Sequence, residues 1–161
     1  YQQTKLPTAI ITAIMVGLDV VAFFVGLVFG SLMHRFRQAV KYFAPLFFLA
    51  GYMAYLLPSV AMVCLGSVFI GIANGVGVPY LNTIASIKGG RNSATTVMPL
   101  LSAALYLGQF VSPLVVMPLS RLLFASSPTA PYKVGILLSL VFLGQVWATR
   151  HFQSLPPEEA Q

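Results

Sequence analysis

GIANGVGVPYLN (residues 71–82), IKGGRNSATT (residues 87–96) and YLGQFVSP (residues 106–113) are the stretches whose reading decides the fold. Taken outward to residues 66–119, they form two apolar segments joined by a short basic turn. Each segment is long enough to cross a bilayer as a helix, which takes about 20 apolar residues. A plain membrane anchor has no use for the asparagine, glutamine, glycines and prolines that these segments carry. Function is therefore expected in the space that the two helices and their neighbours enclose.

Composition points the same way. Of 161 residues, 58% are hydrophobic and 7% are charged, against roughly 25% charged in soluble domains. No soluble fold of this length hides so much apolar surface, so the class is integral membrane protein and the lipid bilayer is its first partner. The net charge of +6 comes from Lys and Arg in short loops and reads as an orientation signal. A nucleic-acid partner is not expected, because no dense basic cluster interleaved with aromatics occurs. Cys64 is the only cysteine, which excludes an internal disulfide and any CxxC metal spacing. No metal or cofactor is expected. The chain opens on Tyr1 rather than Met, without a charged leader and cleavage site, and so reads as a fragment or a processed chain.

The expected fold class is all-α, a polytopic membrane helix bundle. Residues 1–8 read as an extracellular or periplasmic loop, and five transmembrane helices follow at approximately 9–33, 42–57, 60–84, 97–119 and 134–149. Residues 150–161 form a polar cytoplasmic tail. The second and fifth spans count only 16 residues each and need flanking residues to complete a crossing. Five spans put the termini on opposite sides. Arg35, Arg37, Lys41, Lys88, Arg91 and Arg150 gather on one side, and Lys5, Arg121 and Lys133 on the other. The larger set belongs in the cytoplasm with the C-terminus, giving a multi-pass protein of the cell (inner) membrane.

Within the spans, polar groups single out three helices. Thr12, Met15, Asp19, Ala22, Gly26 and Gly30 share one face of the first. Asp19 is the only acid in any span, and an ionised carboxylate at mid-bilayer costs ~2.5–3.5 kcal/mol. It is either a proton-coupling or substrate-binding carboxylate, or a carboxyl hydrogen-bonded to a neighbouring helix for structure. In the third helix Gly71, Gly75, Val78 and Asn82 align, with Asn74 beside them. The spacings of Gly71 to Gly75 and of Gly26 to Gly30 are GxxxG, which favours close helix packing. Asn74 needs a partner at mid-bilayer and is either helix glue or cavity lining. Pro79 frees a backbone carbonyl and is expected to kink its helix. In the fourth helix Ser102, Tyr106, Gln109 and Pro113 form a polar stripe that reads as cavity or interface lining. The second and fifth helices look like outer, lipid-facing elements, with Trp147 at the interface. No enzyme is expected: His34 and His151 lie far from Asp19, and no serine triad, P-loop or HExxH occurs.

This pattern resembles the last five helices of the major facilitator superfamily, whose members pack twelve helices in two halves. GSLMHRFRQ, residues 30–38, is similar to the family's loop motif G-x-x-x-D-R-x-G-R-R. Gly30 and Arg35 match, whereas His34 stands in place of the Asp, Arg37 in place of a Gly and Gln38 in place of a basic residue. GIANGVGVPYLN, the loop with Arg91, and YLGQFVSPL look like the tenth and eleventh helices of drug-efflux-like and sugar-efflux-like members, with Asn92 where the family has Gly.

The resemblance implies that this chain is the C-terminal part of a twelve-helix transporter fold. It implies that the tenth helix, with Asn74, lines a central cavity, and that the eighth and eleventh, with Asp19 and Gln109, lie between the halves. Gly30, His34, Arg35 and Arg91 become loop-motif and gating candidates. The implied function is secondary active transport of a small organic solute by alternating access, as proton-coupled efflux. Asp19 would couple or bind, and Asn74, Tyr106 and Gln109 would contact solute. The N-terminal half of the same transporter would be the missing partner. The alternative is a small non-transporting membrane subunit that docks on a larger complex.

Overall fold

The computed structural model describes residues 7–124 and 127–149, apart from the side chains of Gln38 and residues 90–95. It contains α1 (Thr8–Phe36), α2 (Val40–Tyr55), α3 (Val60–Phe124) and α4 (Ala130–Ala148), with a short 3-10 turn, Arg37–Ala39, between the first two. In hydrocarbon the backbone must satisfy its own polar groups, and helices do so within one segment. Pro7 caps α1, its carbonyl accepting the N–H groups of Ile10 at 3.0 Å and Ile11 at 3.3 Å. At the start of α4, Pro131 occupies the first turn, where its missing N–H costs nothing.

The largest departure from expectation is α3. Its 65 residues include residues 87–96, which the sequence reads as a turn between two spans. A straight helix of that length would run about 98 Å, but α3 is not straight. A Cβ placed on Gly89 would lie 3.2 Å from Val97 Cγ2, whereas eight residues of straight helix rise about 12 Å. Leu105 also lines the same cavity as Ile84, a separation of about 32 Å along a straight rod. The chain therefore doubles back between Gly89 and Val97, giving a first arm (Val60–Gly89) and a second arm (Thr96–Phe124). Gly89 permits the reversal because it has no side chain to meet Val97.

Close contacts fix the order of packing. Leu18 meets Gly71 and Ala22 meets Gly75, so α1 runs parallel to the first arm. Gly51 meets Gly66 and Ile70, and Ala44 meets Gly77, so α2 runs antiparallel to it. α4 lies on α2 with the Tyr52 ring against Gly135, and its own start, Pro131 and Tyr132, faces Ser112 to Met117 of the second arm. Phe29, Val40, Val76 and Tyr80 form a buried cluster where α1, α2 and the first arm meet.

Four stretches are long and apolar enough to cross a membrane: α1, the two arms of α3, and α4. α2, expected as the second span, has 16 residues. It rises about 24 Å, short of the ~30 Å hydrocarbon core. The fifth expected span begins four residues earlier than read, at Ala130, because Thr129 and Pro131 start a helix that the sequence reads as loop. A second correction concerns burial. α2 and α4 were expected to be bland outer helices, yet they hold much of the buried set, including Val40, Lys41, Ala44, Pro45, Val134, Gly135 and Val146. α1 has one buried residue, Phe29. Small residues explain the reversal, since helices in lipid associate through close van der Waals packing rather than through apolarity itself.

Candidate functional site

The α1–α3 contact sets the geometry around the candidate residues. A Cβ on Gly75 would sit 2.5 Å from the Ala22 carbonyl oxygen and 2.8 Å from Val25 Cβ. On Gly71 it would sit 2.7 Å from the Leu18 carbonyl oxygen. The two backbones touch because these positions carry no side chain. Leu18, Val21, Ala22, Val25 and Phe29 thus form the packed face of α1. Asp19 lies about a quarter turn round from that face, at 3.6 residues per turn. Its flank is open: Thr12, Met15, Asp19 and Gly30 are exposed, and a Cβ on Gly30 would meet nothing within 4 Å. Gly26, on the same flank, approaches Gly75, its Cβ position 3.9 Å from the Gly75 carbonyl oxygen.

On the first arm Gly71 and Gly75 face α1, and Gly66, Ile70 and Gly77 face α2. Asn74 and Val78 occupy the remaining side. Since α1 and this arm run parallel, the Asp19 flank and the Asn74 flank open towards the same side of the pair. Asp19 is level with Gly71, and Asn74 lies three residues, about 4.5 Å, further along. Asn74 is half-buried, whereas Asp19 is exposed. On the second arm the stripe of Ser102, Tyr106, Gln109 and Pro113 is exposed throughout, Tyr106 to 71%. Its neighbour Leu105 turns inward to the cavity that Asn74 also lines.

Two cavities flank this surface. The inner one, about 370 Å³, lies among α2, both arms of α3 and the end of α4. Its walls are apolar except for Lys41, Asn74 and Tyr80. The outer one, about 520 Å³, is lined by Phe48, Tyr52, Ser112, Pro113, Tyr132 and Phe142 among others, and is aromatic.

The loop-motif residues behave differently. Gly30, His34 and Arg35 are exposed near the end of α1. Arg37, where the motif has Gly, adopts φ 39°, the one positive φ at a non-glycine among the described residues. That conformation strains a residue with a Cβ by about 1–3 kcal/mol and suits glycine. Arg91 lies outside the described side chains. Pro79 sits inside the first arm, and its carbonyl accepts the Thr83 hydroxyl at 2.9 Å. Pro113 borders the outer cavity.

Sequence reasoning missed two features. Lys41, read as an orientation charge, is buried at 7% exposure; the signal was its place inside the α2 pattern, directly before Tyr42. Tyr55 and Ser67 hydrogen-bond at 2.8 Å between α2 and α3. Ser67 spends its only proton on the Val63 carbonyl at 2.9 Å, so Tyr55 is the donor to Ser67. Among the described residues no group of three His, Cys, Asp or Glu stands together to hold a metal ion. What the surface offers instead is a carboxylate, an amide and a phenol on open helix flanks, groups able to bind a polar solute or exchange a proton.

No protein-family model, curated protein or solved structure matches the chain.

Proposed function

We propose that the chain is the C-terminal part of a secondary transporter of the major facilitator type, moving a small organic solute by alternating access in exchange for protons. In this reading α2 completes a fifth crossing with the flanking 3-10 turn and Leu56–Ser59, the basic connections and C-terminus are cytoplasmic, and the membrane is the inner cell membrane. The observation that carries the reading is the uncovered polar flank. Asp19, Tyr106 and Gln109 are exposed on two helices with no buried position in their most apolar windows. Lipid does not satisfy a carboxylate, an amide or a phenol, so such a flank is stable only against further helices or a water-filled cavity. The midplane interface between two transporter halves supplies both. The glycine-like backbone at Arg37, at the motif position where the family has Gly, supports the same reading.

Asp19 is the coupling carboxylate in this scheme, and Asn74, Tyr106 and Gln109 contact solute. Everted vesicles from cells expressing the gene's full product test it, with a pH-sensitive dye reporting proton leak on addition of organic cations and sugars. Solute-driven leak that Asp19→Asn abolishes at unchanged membrane insertion is expected. Normal coupled leak in Asp19→Asn removes the residue from the mechanism. Loss of assembly with a larger complex, without any transport defect, favours the docking subunit.

A further inference from the structure

The outer cavity lies apart from the transport reading, since Asp19, Asn74, Tyr106 and Gln109 line none of it. It is a groove of about 520 Å³ between the second arm and α4, to which α2 adds Phe48 and Tyr52. Both long walls belong to helices apolar enough to cross a membrane, so the groove runs into hydrocarbon. On α4 its lining extends from Pro131 to Phe142, eleven residue steps that rise about 16 Å. That is half of the ~30 Å hydrocarbon core, the depth of one leaflet. A wall seat of this kind suits a chain of hydrocarbon. A helix from a partner would follow a wall through both leaflets, about twice this length.

Charge gathers at one end of the groove. Met117 lines it and also borders a second recess with Pro118, Arg121 and Leu122, so the two are continuous. Arg121 is exposed. Lys133 reaches the same end, its ammonium 5.5 Å from the centroid of the Phe124 ring in the last turn of the second arm. Tyr132, which lines the mouth, packs its ring 5.3 Å from that of Tyr55, and aromatic and basic residues together mark the level of lipid headgroups. Asp19, the single acid among the described residues, lines neither recess. The potential at the mouth is therefore positive, which favours an anionic head.

We infer that this groove seats an anionic phospholipid, its phosphate beside Arg121 and Lys133 and one acyl chain against Tyr132, Met117, Tyr52 and Phe142. The lipid fills the wedge between α4 and the second arm, where the two helices leave a gap. The site stands whether or not the protein transports anything.

Photolabelling of the purified full gene product in phosphatidylcholine nanodiscs tests the site. Phosphatidylglycerol with a diazirine midway along one chain is compared with phosphatidylcholine labelled the same way, each at trace level, and labelled peptides are mapped by mass spectrometry. Phosphatidylglycerol is expected to label the groove walls, residues 48–52, 112–117 and 131–142, at least about fivefold more than phosphatidylcholine, the effect of one basic residue on an anionic lipid. Arg121→Gln with Lys133→Gln is expected to bring that labelling down to the phosphatidylcholine level. Leu138→Trp, which fills the groove from an exposed position, is expected to reduce labelling by both lipids alike. If the double variant does not fold, the two-lipid comparison on the unaltered protein decides alone. Equal labelling by the two lipids overturns the proposal, as does a phosphatidylglycerol preference that survives in a folded double variant. Groove walls left unlabelled, or cross-linked to a second copy or another protein, overturn it too.

Discussion

The two arms of α3 are nearly matched in length, 30 and 29 residues, and both are apolar enough to cross a membrane. They differ in what covers them. A third of the first arm's most apolar window is buried, and none of the second arm's is. The first arm carries Gly66, Gly71, Gly75 and Gly77, each with a neighbour inside 3.4 Å of where its Cβ would be. The second arm's glycine, Gly108, has nothing within 4 Å. Hydropathy decides that a segment enters the bilayer. Small residues decide which segments of the same chain it then packs against. The uncovered arm leaves its polar stripe, Ser102, Tyr106, Gln109 and Pro113, exposed.

The same substitution on both arms tests that contrast most directly. Gly75→Leu drives a side chain into the Ala22 carbonyl and Val25, and is expected to cost about 3 kcal/mol, at the upper end of overpacking effects. Unfolding in micelles and loss of a cross-link between α1 and the first arm would report it. A fully stable Gly75→Leu protein would break the comparison, because the close approach would then not hold the arm in place. Next in size is Arg37→Gly, which removes a side chain from a φ of 39° and is expected to stabilise the α1–α2 connection by about 1 kcal/mol. An unchanged midpoint in the same unfolding assay would mean that this backbone is not strained.

Tyr55→Phe removes the hydrogen bond to Ser67 that ties α2 to the first arm. Interhelical hydrogen bonds in membranes average about 0.6 kcal/mol, so a small, measurable loss is expected. Smallest of all is Gly108→Leu, expected to change the stability of these helices by less than ~0.5 kcal/mol, since the added side chain meets only open space. The comparison sharpens if Gly108→Leu is silent here yet disrupts the full gene product, which would place further helices against the second arm.

Much of the candidate surface was legible in residue spacing. Asp19, Tyr106 and Gln109 stand out in a chain as polar groups that lipid does not solvate, and they are exposed on open flanks in the structure. The Gly71–Gly75 spacing read as a packing face, and the structure sets it against α1. Burial was less legible. Lys41 looked like any loop cation because its burial depends on α2, α3 and α4 converging around it, and no local pattern encodes that convergence. α2 and α4 looked bland because they lack polar stripes, yet blandness says nothing about whether a neighbour fits closely.

What the amino-acid sequence determined by itself is the class, an all-helical chain with helices long and apolar enough to cross a membrane. Its apolar runs exceed what a soluble fold hides, and backbone hydrogen bonding in lipid then requires helices. The tertiary structure alone decided that α3 doubles back within a single run of helix, that α1 runs beside its first arm and leaves the Asp19 flank open, and that a lysine ends up inside a cavity. Those outcomes depend on which small surfaces find one another across tens of residues. In a membrane, where every apolar face is equally content with lipid, shape complementarity and not hydropathy makes that choice.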